Sequence, residues 1–418
     1  GGALYSSAEN KVTLFNNGGV TNLTTSNLTS YGGSSGSDIQ VTGSSAADFI
    51  IHSGSNVGIL TLNAGEGNDE IEIRNTGQAN IIYGEAGNDI VYLSTVDLSS
   101  NAVIDGGTGS DWLAFGLWGG GTAVTYTLNS GVTTNFENMV GSGSDDTLTG
   151  DSAANSIHGG SGDDTIYGKG GDDLLYGDIT QNGSGSVYTM DNGIGQGPAY
   201  GHYDTGNDTI YGGAGNDTLY GAGGDDVLDG GTGSDTLQGG VGSDTFIIRT
   251  GDGGSAITDA DVITDFEDGN DAVGMDSITY DDLTIAQGTG DYANHTLISI
   301  TATGEYLLII QNTTASNVTA VDFSNTSTEA QTFTGTAGND TFIGGAGNDT
   351  FNGGAGSDTL IGWGGDDTFN ITSKSGSYTD TIDGGAGTDT LNINFASISA
   401  FSSISYDGGY VAGGDWTL

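Results

Sequence analysis

The chain has 418 residues, among them 79 glycines, one proline and no cysteine, and its 5 basic and 54 acidic residues give a formal charge of −49. No cysteine excludes disulfide staples and zinc–thiolate sites, and so few cations exclude nucleic-acid and anionic-membrane binding. Glycine does not fall at every third position, which excludes collagen, and the longest notable apolar run, Tyr306–Ile310, is far too short to cross a bilayer.

Charge alone would suit a disordered chain. A strict nine-residue register argues otherwise once a counter-ion is present, and a divalent metal is the economical source of positive charge. The basic residues are Lys11, Arg74, Lys169, Arg249 and Lys374, too few to neutralise the acids. The chain starts without Met or a signal-peptide pattern, so it is expected to be processed or a piece of a longer protein.

Residues 1–47 are rich in Ser, Thr, Asn and Gly, with apolar Leu14, Val20, Leu23 and Leu28 at short intervals, and predict irregular β-coils or a cap. Residues 48–140 hold a looser repeat. Gly65-Glu-Gly-Asn-Asp69, Ala86-Gly-Asn-Asp89 and Gly106-Gly-Thr-Gly-Ser-Asp111 recur at gaps of 20 and 22 residues (69 to 89 to 111). Strands are predicted at 59–62, 70–73, 81–83, 90–93 and 112–115. Asp48 stands where the series would begin, but its turn lacks the second glycine.

Residues 141–250 carry the strongest signal, a nonapeptide G-G-x-G-x-D-x-U-x in which U is a large apolar residue. Its turn acids are Asp146, Asp164 and Asp173, with Asn155 in the intervening slot. An insertion is predicted at 177–203, after which Asp208, Asp217, Asp226, Asp235 and Asp244 follow every ninth residue. Residues 251–330 lose the repeat and alternate apolar with polar residues, as in an antiparallel β-cap. A further block, 331–395, has Asp340, Asp349, Asp358 and Asp367, then Asp380 and Asp389 after a short insertion. Residues 396–418 contain no Lys or Arg and end Asp415-Trp-Thr-Leu418.

The spacing carries a mechanism. Each Gly-rich hexapeptide makes a tight turn ending in a carboxylate, and each following triplet makes a short strand with U pointing inward. Two nonapeptides form one coil of a flattened parallel β-solenoid, so Asp n and Asp n+18 stack on one edge. The carboxylate and carbonyl oxygens between them suit a hard cation of calcium size. One coil buries little more than two U side chains, such as Ile210 and Leu219, a small return for ordering its backbone. The metal-free chain is therefore expected to be largely unfolded, with calcium driving folding. The acids one place before the turn acid (Asp145, Asp163, Asp172, Asp225) are expected to face solvent. Tyr167, Tyr176, Tyr211 and Tyr220 are expected to point outward, either as a contact stripe or simply because tyrosine favours strands. The tyrosine-rich insertion around Tyr188–Tyr203 is read as a contact loop or a tolerated surface insertion.

These repeats resemble the repeats-in-toxin (RTX) family of calcium-binding β-rolls. Phe136-Glu-Asn-Met-Val-Gly-Ser-Gly-Ser-Asp-Asp-Thr-Leu148 looks like the entry into such a block, Val262-Ile-Thr-Asp-Phe-Glu-Asp-Gly-Asn-Asp271 like its exit, and Val321-Asp-Phe323 like the end of its β-cap. The resemblance implies an all-β, right-handed parallel β-roll with β-rich caps and several Ca2+ ions. Each ion would take one Asp and carbonyls from each of two stacked turns. The implied pairs are Asp208/Asp226, Asp217/Asp235, Asp226/Asp244, Asp146/Asp164, Asp340/Asp358 and Asp349/Asp367. Asp69, Asp89, Asp111, Asp173, Asp380, Asp389 and the exit acids Asp265 and Asp271 join them as candidate ligands. Asn155 removes one charge from its site with Asp173. Candidate carbonyl donors are Gly212, Gly213, Ala214 and Gly215; Gly230, Gly231, Thr232 and Gly233; and Gly344, Gly345, Ala346 and Gly347.

The resemblance also implies export by type I secretion through a C-terminal signal. No H-E-x-x-H is present, so no enzyme is expected. The expected protein is a secreted, calcium-loaded structural component of the cell surface that self-assembles into a lattice or filament, with cell-surface polysaccharide as a candidate partner. The alternatives are a calcium-stiffened part of an adhesin, or the export and folding module of an exoenzyme.

Overall fold

The computed structural model describes residues 2–6, 11–16, 21–24, 30–33, 39–43, 45, 47–52, 60–73, 80–93, 102–115, 122–178, 206–371, 379–393 and 415–417. The tyrosine-rich insertion, Arg74, Lys374 and most of the C-terminal tail lie outside them. The described residues form β-strands and four single-turn 3-10 helices. The fold is a parallel β-solenoid, as the repeat predicts, divided into two compact units: residues 1–228 with 239–241, and residues 229–238 with 242–418.

In the first unit one sheet runs from an antiparallel pair, Gly2–Ser6 with Lys11–Asn16, through parallel strands to Thr218–Gly223. The opposing wall changes part-way. Strands Thr21–Thr24 to Thr133–Thr134 make one sheet, and Thr125–Thr127 starts another that continues through Thr147–Thr149, Thr165–Gly170 and Thr209–Ala214. The irregular 20-residue coils thus give way to 18-residue coils where the nonapeptides begin on both edges. Strands Glu70–Ile73, Ile90–Leu93 and Trp112–Phe115 lie where the sequence predicts them.

Packing follows from alternation along these short strands. The U residues Met139, Ile157, Leu175 and Leu219 on one wall, and Leu148, Ile166 and Ile210 on the other, are fully buried. Register steps by 18 residues from Thr147 to Thr165, then by 44 from Thr165 to Thr209, so the ladder closes across the inserted segment without slipping. Outward tyrosines pair by stacking rather than forming one stripe. Tyr167 stacks on Tyr211 with centroids 4.9 Å apart, and Tyr176 on Tyr220 at 4.8 Å, on different walls. Buried His158 lies between Trp112 and Tyr176 with centroids 5.3 and 4.6 Å away, and burial pushes its pKa down to about 4.

In the second unit the parallel ladders continue further than the sequence suggests. Asp261–Ile263 pairs in parallel with Tyr306–Ile310, and Ala272–Met275 with both Thr245–Ile248 and Phe323–Asn325. Only Leu283–Gln287, Thr296–Ile300 and Tyr306–Ile310 form the expected antiparallel cap. The last roll follows on Phe323–Asn325, where the Asn325 amide donates to the Gly344 carbonyl at 3.0 Å and the Trp363 indole donates to the Phe323 carbonyl. It fills its core with stacked Phe333, Phe351 and Phe369, at centroid spacings of 4.9 and 4.7 Å.

Truncating Phe351, the middle ring, leaves a void that its neighbours cannot fill. Phe351→Ala should cost about 3–5 kcal/mol, read from urea unfolding in saturating calcium. Val241→Thr, at a largely exposed side chain, should stay within about 0.5 kcal/mol of the parent.

Candidate metal sites

The turn acids sit immediately before a strand, except Asp389, which is the second residue of Thr388–Ile393, and this fixes where each carboxylate goes. One oxygen, Oδ1, accepts the main-chain N–H of the acid one coil earlier. Asp69 accepts Asp48 at 2.6 Å, while Asp89 accepts Asp69 and Asp111 accepts Asp89 at 2.7 Å. In the nonapeptide block Asp164 accepts Asp146, Asp208 accepts Asp164, Asp217 accepts Asp173, Asp173 accepts Asn155, and Asp226 accepts Asp208, all at 2.7–2.8 Å. In the last roll the steps Asp340–Asp358, Asp349–Asp367, Asp358–Asp380 and Asp367–Asp389 span 2.7–3.1 Å. Asp48, which heads the first column, is nearly fully buried. A second ladder runs on the outside in the opposite sense. Asp163 accepts the Asn207 amide, Asp172 the Asn216 amide and Asp366 the Thr388 amide at 2.8–2.9 Å. The acids expected to face solvent, Asp145, Asp163, Asp172 and Asp225, are indeed exposed. Asp145, Asp163 and Asp172 also tie successive coils, a role their sequence position does not announce.

The other inner oxygen, Oδ2, points into the turn. For Asp69, Asp89, Asp111, Asp164, Asp173, Asp367 and Asp389 it is buried and has no hydrogen-bond partner among the described residues. The first glycine of each hexapeptide exists because of it. A Cβ on Gly168 would stand 2.4 Å from Asp173 Oδ2 and 2.5 Å from the Gly212 carbonyl, and one on Gly159 would stand 2.2 Å from Asp164 Oδ2 and 2.5 Å from the Gly177 carbonyl. The turn is therefore an oxygen-lined cradle. Left-handed backbone at Gly213, Gly215, Gly231 and Gly233 (φ 93–146°) turns successive carbonyls. Of the candidate carbonyl donors, those of Ala214, Gly344 and Gly345 already accept main-chain amides at 2.8, 3.0 and 3.0 Å. Gly230 faces the Asp235 carboxylate, Gly344 faces that of Asp349, and the Gly345 amide donates to Asp349 at 3.0 Å.

Burial without a cation raises the carboxyl pKa values. It is the leading cause at Asp89, pushed to about 6, at Asp111, Asp173, Asp226 and Asp367, each about 7, at Asp69, about 8, and at Asp164, about 9. Neighbouring carboxylates in the column add to it. Among the described residues no three His, Cys, Asp or Glu side chains converge on one point. A cation here would be held by one or two carboxylates plus carbonyls, an all-oxygen set that fits Ca2+ and not a soft metal.

Several slots depart from the pattern. Asn155 spends its amide on hydrogen bonds, accepting the Asp151 amide at 2.9 Å and donating to the Glu137 carbonyl at 3.1 Å. Glu137 fills the preceding slot by accepting the Asp111 amide at 2.8 Å. Asp146 spends one oxygen on Val124 N–H and the other on Ser142 N–H. After Asp235 the column continues to Asp261, which accepts the Asp235 amide at 2.9 Å, whereas the exit motif points to Asp265, a half-buried residue. Asp261 was missed because no glycine turn precedes it; its place directly before an apolar Val-Ile pair was the available signal. Asp271 accepts the Asp244 amide at 3.1 Å. The expected pairs Asp217/Asp235 and Asp226/Asp244 have members in different units, and all four residues are buried. Asp340 is half-buried and its carboxylate accepts the Thr336 amide at 2.8 Å.

One cluster uses a protein cation instead. The Arg249 guanidinium grips Asp229 with two N–H groups, reaches Asp276 at 3.0 Å and contacts Asp252 at 3.5 Å.

The RTX calcium-binding nonapeptide repeat (4 copies) matches residues 76–95, 140–178, 202–237, 220–253, 334–369 and 374–392. These segments are RTX repeats. They include the turns of Asp89, Asp164, Asp173, Asp367 and Asp389, whereas those of Asp69 and Asp111 lie outside the matched segments, and the matched repeat is a calcium-binding one. A subunit of the mannuronan C5-epimerase of Azotobacter vinelandii is similar over part of the chain, with 28% identity, 29% of this chain and 75% of that one covered, and a TM-score of 0.24. No curated protein matches the chain.

Two outcomes follow from this geometry. Gly168→Ala puts a methyl group into the cradle and should weaken calcium binding at that turn about tenfold or more, measured by isothermal titration. Gly143→Ala, whose Cβ meets nothing within 4 Å, should leave the titration unchanged. The pKa values set the pH response without calcium. Asp69, Asp89, Asp111, Asp164, Asp173, Asp226 and Asp367 bind a proton more tightly folded than unfolded, so this contribution is complete below about pH 4. It is lost as pH rises through about 6 for Asp89 and about 9 for Asp164. In chelator, circular dichroism should therefore show more β-structure at about pH 5.5 than at about pH 8.5. Saturating calcium should restore the signal at the higher pH.

Proposed function

We propose that this chain, which carries RTX repeats, is a secreted structural component of the cell surface that folds when it meets calcium and then assembles with further copies of itself. The observation that carries this reading is the set of buried carboxylates, Asp69, Asp89, Asp111, Asp164, Asp173, Asp367 and Asp389, whose second oxygen lies inside a turn and has no hydrogen-bond partner among the described residues. The chain has 5 basic residues against 54 acidic ones, so neutralisation has to come from outside. Ions that bind only the folded coils stabilise them by mass action. Such a chain stays unfolded where calcium is scarce and folds where it is plentiful, which suits export in an extended form.

Nearly all the described chain is solenoid and cap, and the reading is structural rather than catalytic. Self-assembly draws support from Leu283–Gln287, the last strand of its sheet among the described residues. Its free edge can accept a strand from a second copy. The test is negative-stain microscopy of the purified chain in millimolar calcium and again in chelator. Ordered sheets or filaments that dissolve on chelation are the expected result. Compact monomers under both conditions would overturn the assembly reading, and full β-structure in chelator at neutral pH would overturn calcium-driven folding.

A further inference from the structure

Asp322 is a buried carboxylate that no nonapeptide turn accounts for. Asp322 sits directly before strand Phe323–Asn325, which pairs in parallel with Ala272–Met275. Asp271 holds the equivalent place before Ala272, so Asp322 is the next rung of that column. The rung is not made in the usual way. Elsewhere Oδ1 accepts the N–H of the preceding acid, but here the Asp271 amide donates to the Glu267 carbonyl at 2.9 Å. Asp322 anchors its Oδ2 locally, accepting the Thr319 amide at 2.7 Å and the Thr319 hydroxyl at 3.2 Å. Its Oδ1 is buried with no hydrogen-bond partner among the described residues, and the residue is only 1% exposed.

A second carboxylate lies close enough to act on its charge. The turn 265–271 replaces a glycine hexapeptide and keeps a left-handed glycine at Gly269 (φ 77°), while placing Asp268 near Asp322. Burial, then the Asp268 charge, raises the proton affinity of Asp322, and the Gly269 amide offsets part of this. Arg249, one of the two basic residues with described side chains, is committed to Asp229, Asp252 and Asp276. A buried carboxylate with an unused oxygen beside a like charge is costly unless a cation joins them.

We propose that Asp322 and Asp268 form a further calcium site, outside the nonapeptide repeats, that ties the exit turn 265–271 to the end of the cap. This inference rests on the calcium-binding reading of the chain, but its residues belong to none of the matched repeats. The ligands are two carboxylates completed by main-chain carbonyls and water, the oxygen set a hard divalent ion takes. Its position would lock Phe323–Asn325, the strand on which the last roll follows.

The experiment counts tightly held calcium per chain by elemental analysis of the purified full-length protein, with a calcium titration alongside. The wild type is compared with Asp322→Asn and Asp268→Asn, and circular dichroism reports whether each variant is folded. Asparagine retains the acceptor for Thr319 while removing the charge. The expected result is one ion fewer, or one binding step weakened about tenfold or more, in either folded variant, with the remaining ions kept. Should Asp322→Asn fail to fold, Asp268→Asn decides, since Asp268 is exposed. A full count and an unchanged titration in the folded variants overturn this site alone. A wild type that binds no calcium overturns the site together with the nonapeptide columns.

Discussion

The structure depends on how like charges can be stacked in a column at the spacing of a β-ladder, about 4.8 Å from strand to strand. Each inner aspartate solves half of the problem within the protein. Its Oδ1 takes a main-chain N–H from the coil before, which is both a hydrogen bond and a partial positive charge. At Asp69, Asp89, Asp111, Asp164, Asp173, Asp367 and Asp389 the other oxygen is left for an ion, and beside Asp164 and Asp173 a glycine is what leaves the room. Core packing cannot substitute, because a coil contributes little more than two buried apolar side chains. The charge of the column and the thinness of the core are thus two aspects of one arrangement, in which the cation replaces the missing hydrophobic interior.

Arg249 is informative as the contrast. At Asp229, Asp252 and Asp276 the chain supplies its own counter-ion, and a guanidinium can serve three carboxylates through its fork of donors. It does so where the regular turns end and the strands lengthen into the cap. Inside the cradle a side chain as long as arginine has no place to lie, because a glycine such as Gly168 is already within contact distance of the next coil. A compact ion fits there and a side chain does not.

Much of this was legible from residue spacing. The nine-residue period gave the coil, the glycines gave the turn, and the acid before each Thr-U pair gave the column. The predicted boundaries of Glu70–Ile73 and Ile90–Leu93 agree with the structure because apolar residues there sit between two turn signals. Legibility failed where the backbone kept the ladder but the turn lost its glycines. Asp261 and Asp322 follow irregular loops, so no glycine turn marks them as rungs, and only the apolar residue after each hints at a strand. The outer ladder was hidden for another reason. Asp163 and Asp172 look like ordinary exposed acids, and only the register of the next coil shows that each reaches a main-chain amide.

The two ladders run in opposite senses, and this gives a roll a direction. In the inner column each coil hands its amide forward to a carboxylate in the next, while in the outer column each coil hands its side-chain oxygen forward to an amide. A roll cut between any two coils therefore shows an inner amide and an outer acceptor on the face toward the C-terminus, and an inner carboxylate and an outer amide on the opposite face. Those two surfaces complement each other and neither complements itself. Coils can be added or lost in whole steps without disturbing their neighbours, but a coil presented upside down would set donor against donor and carboxylate against carboxylate. The hydrogen-bond pattern thus acts as a one-way thread.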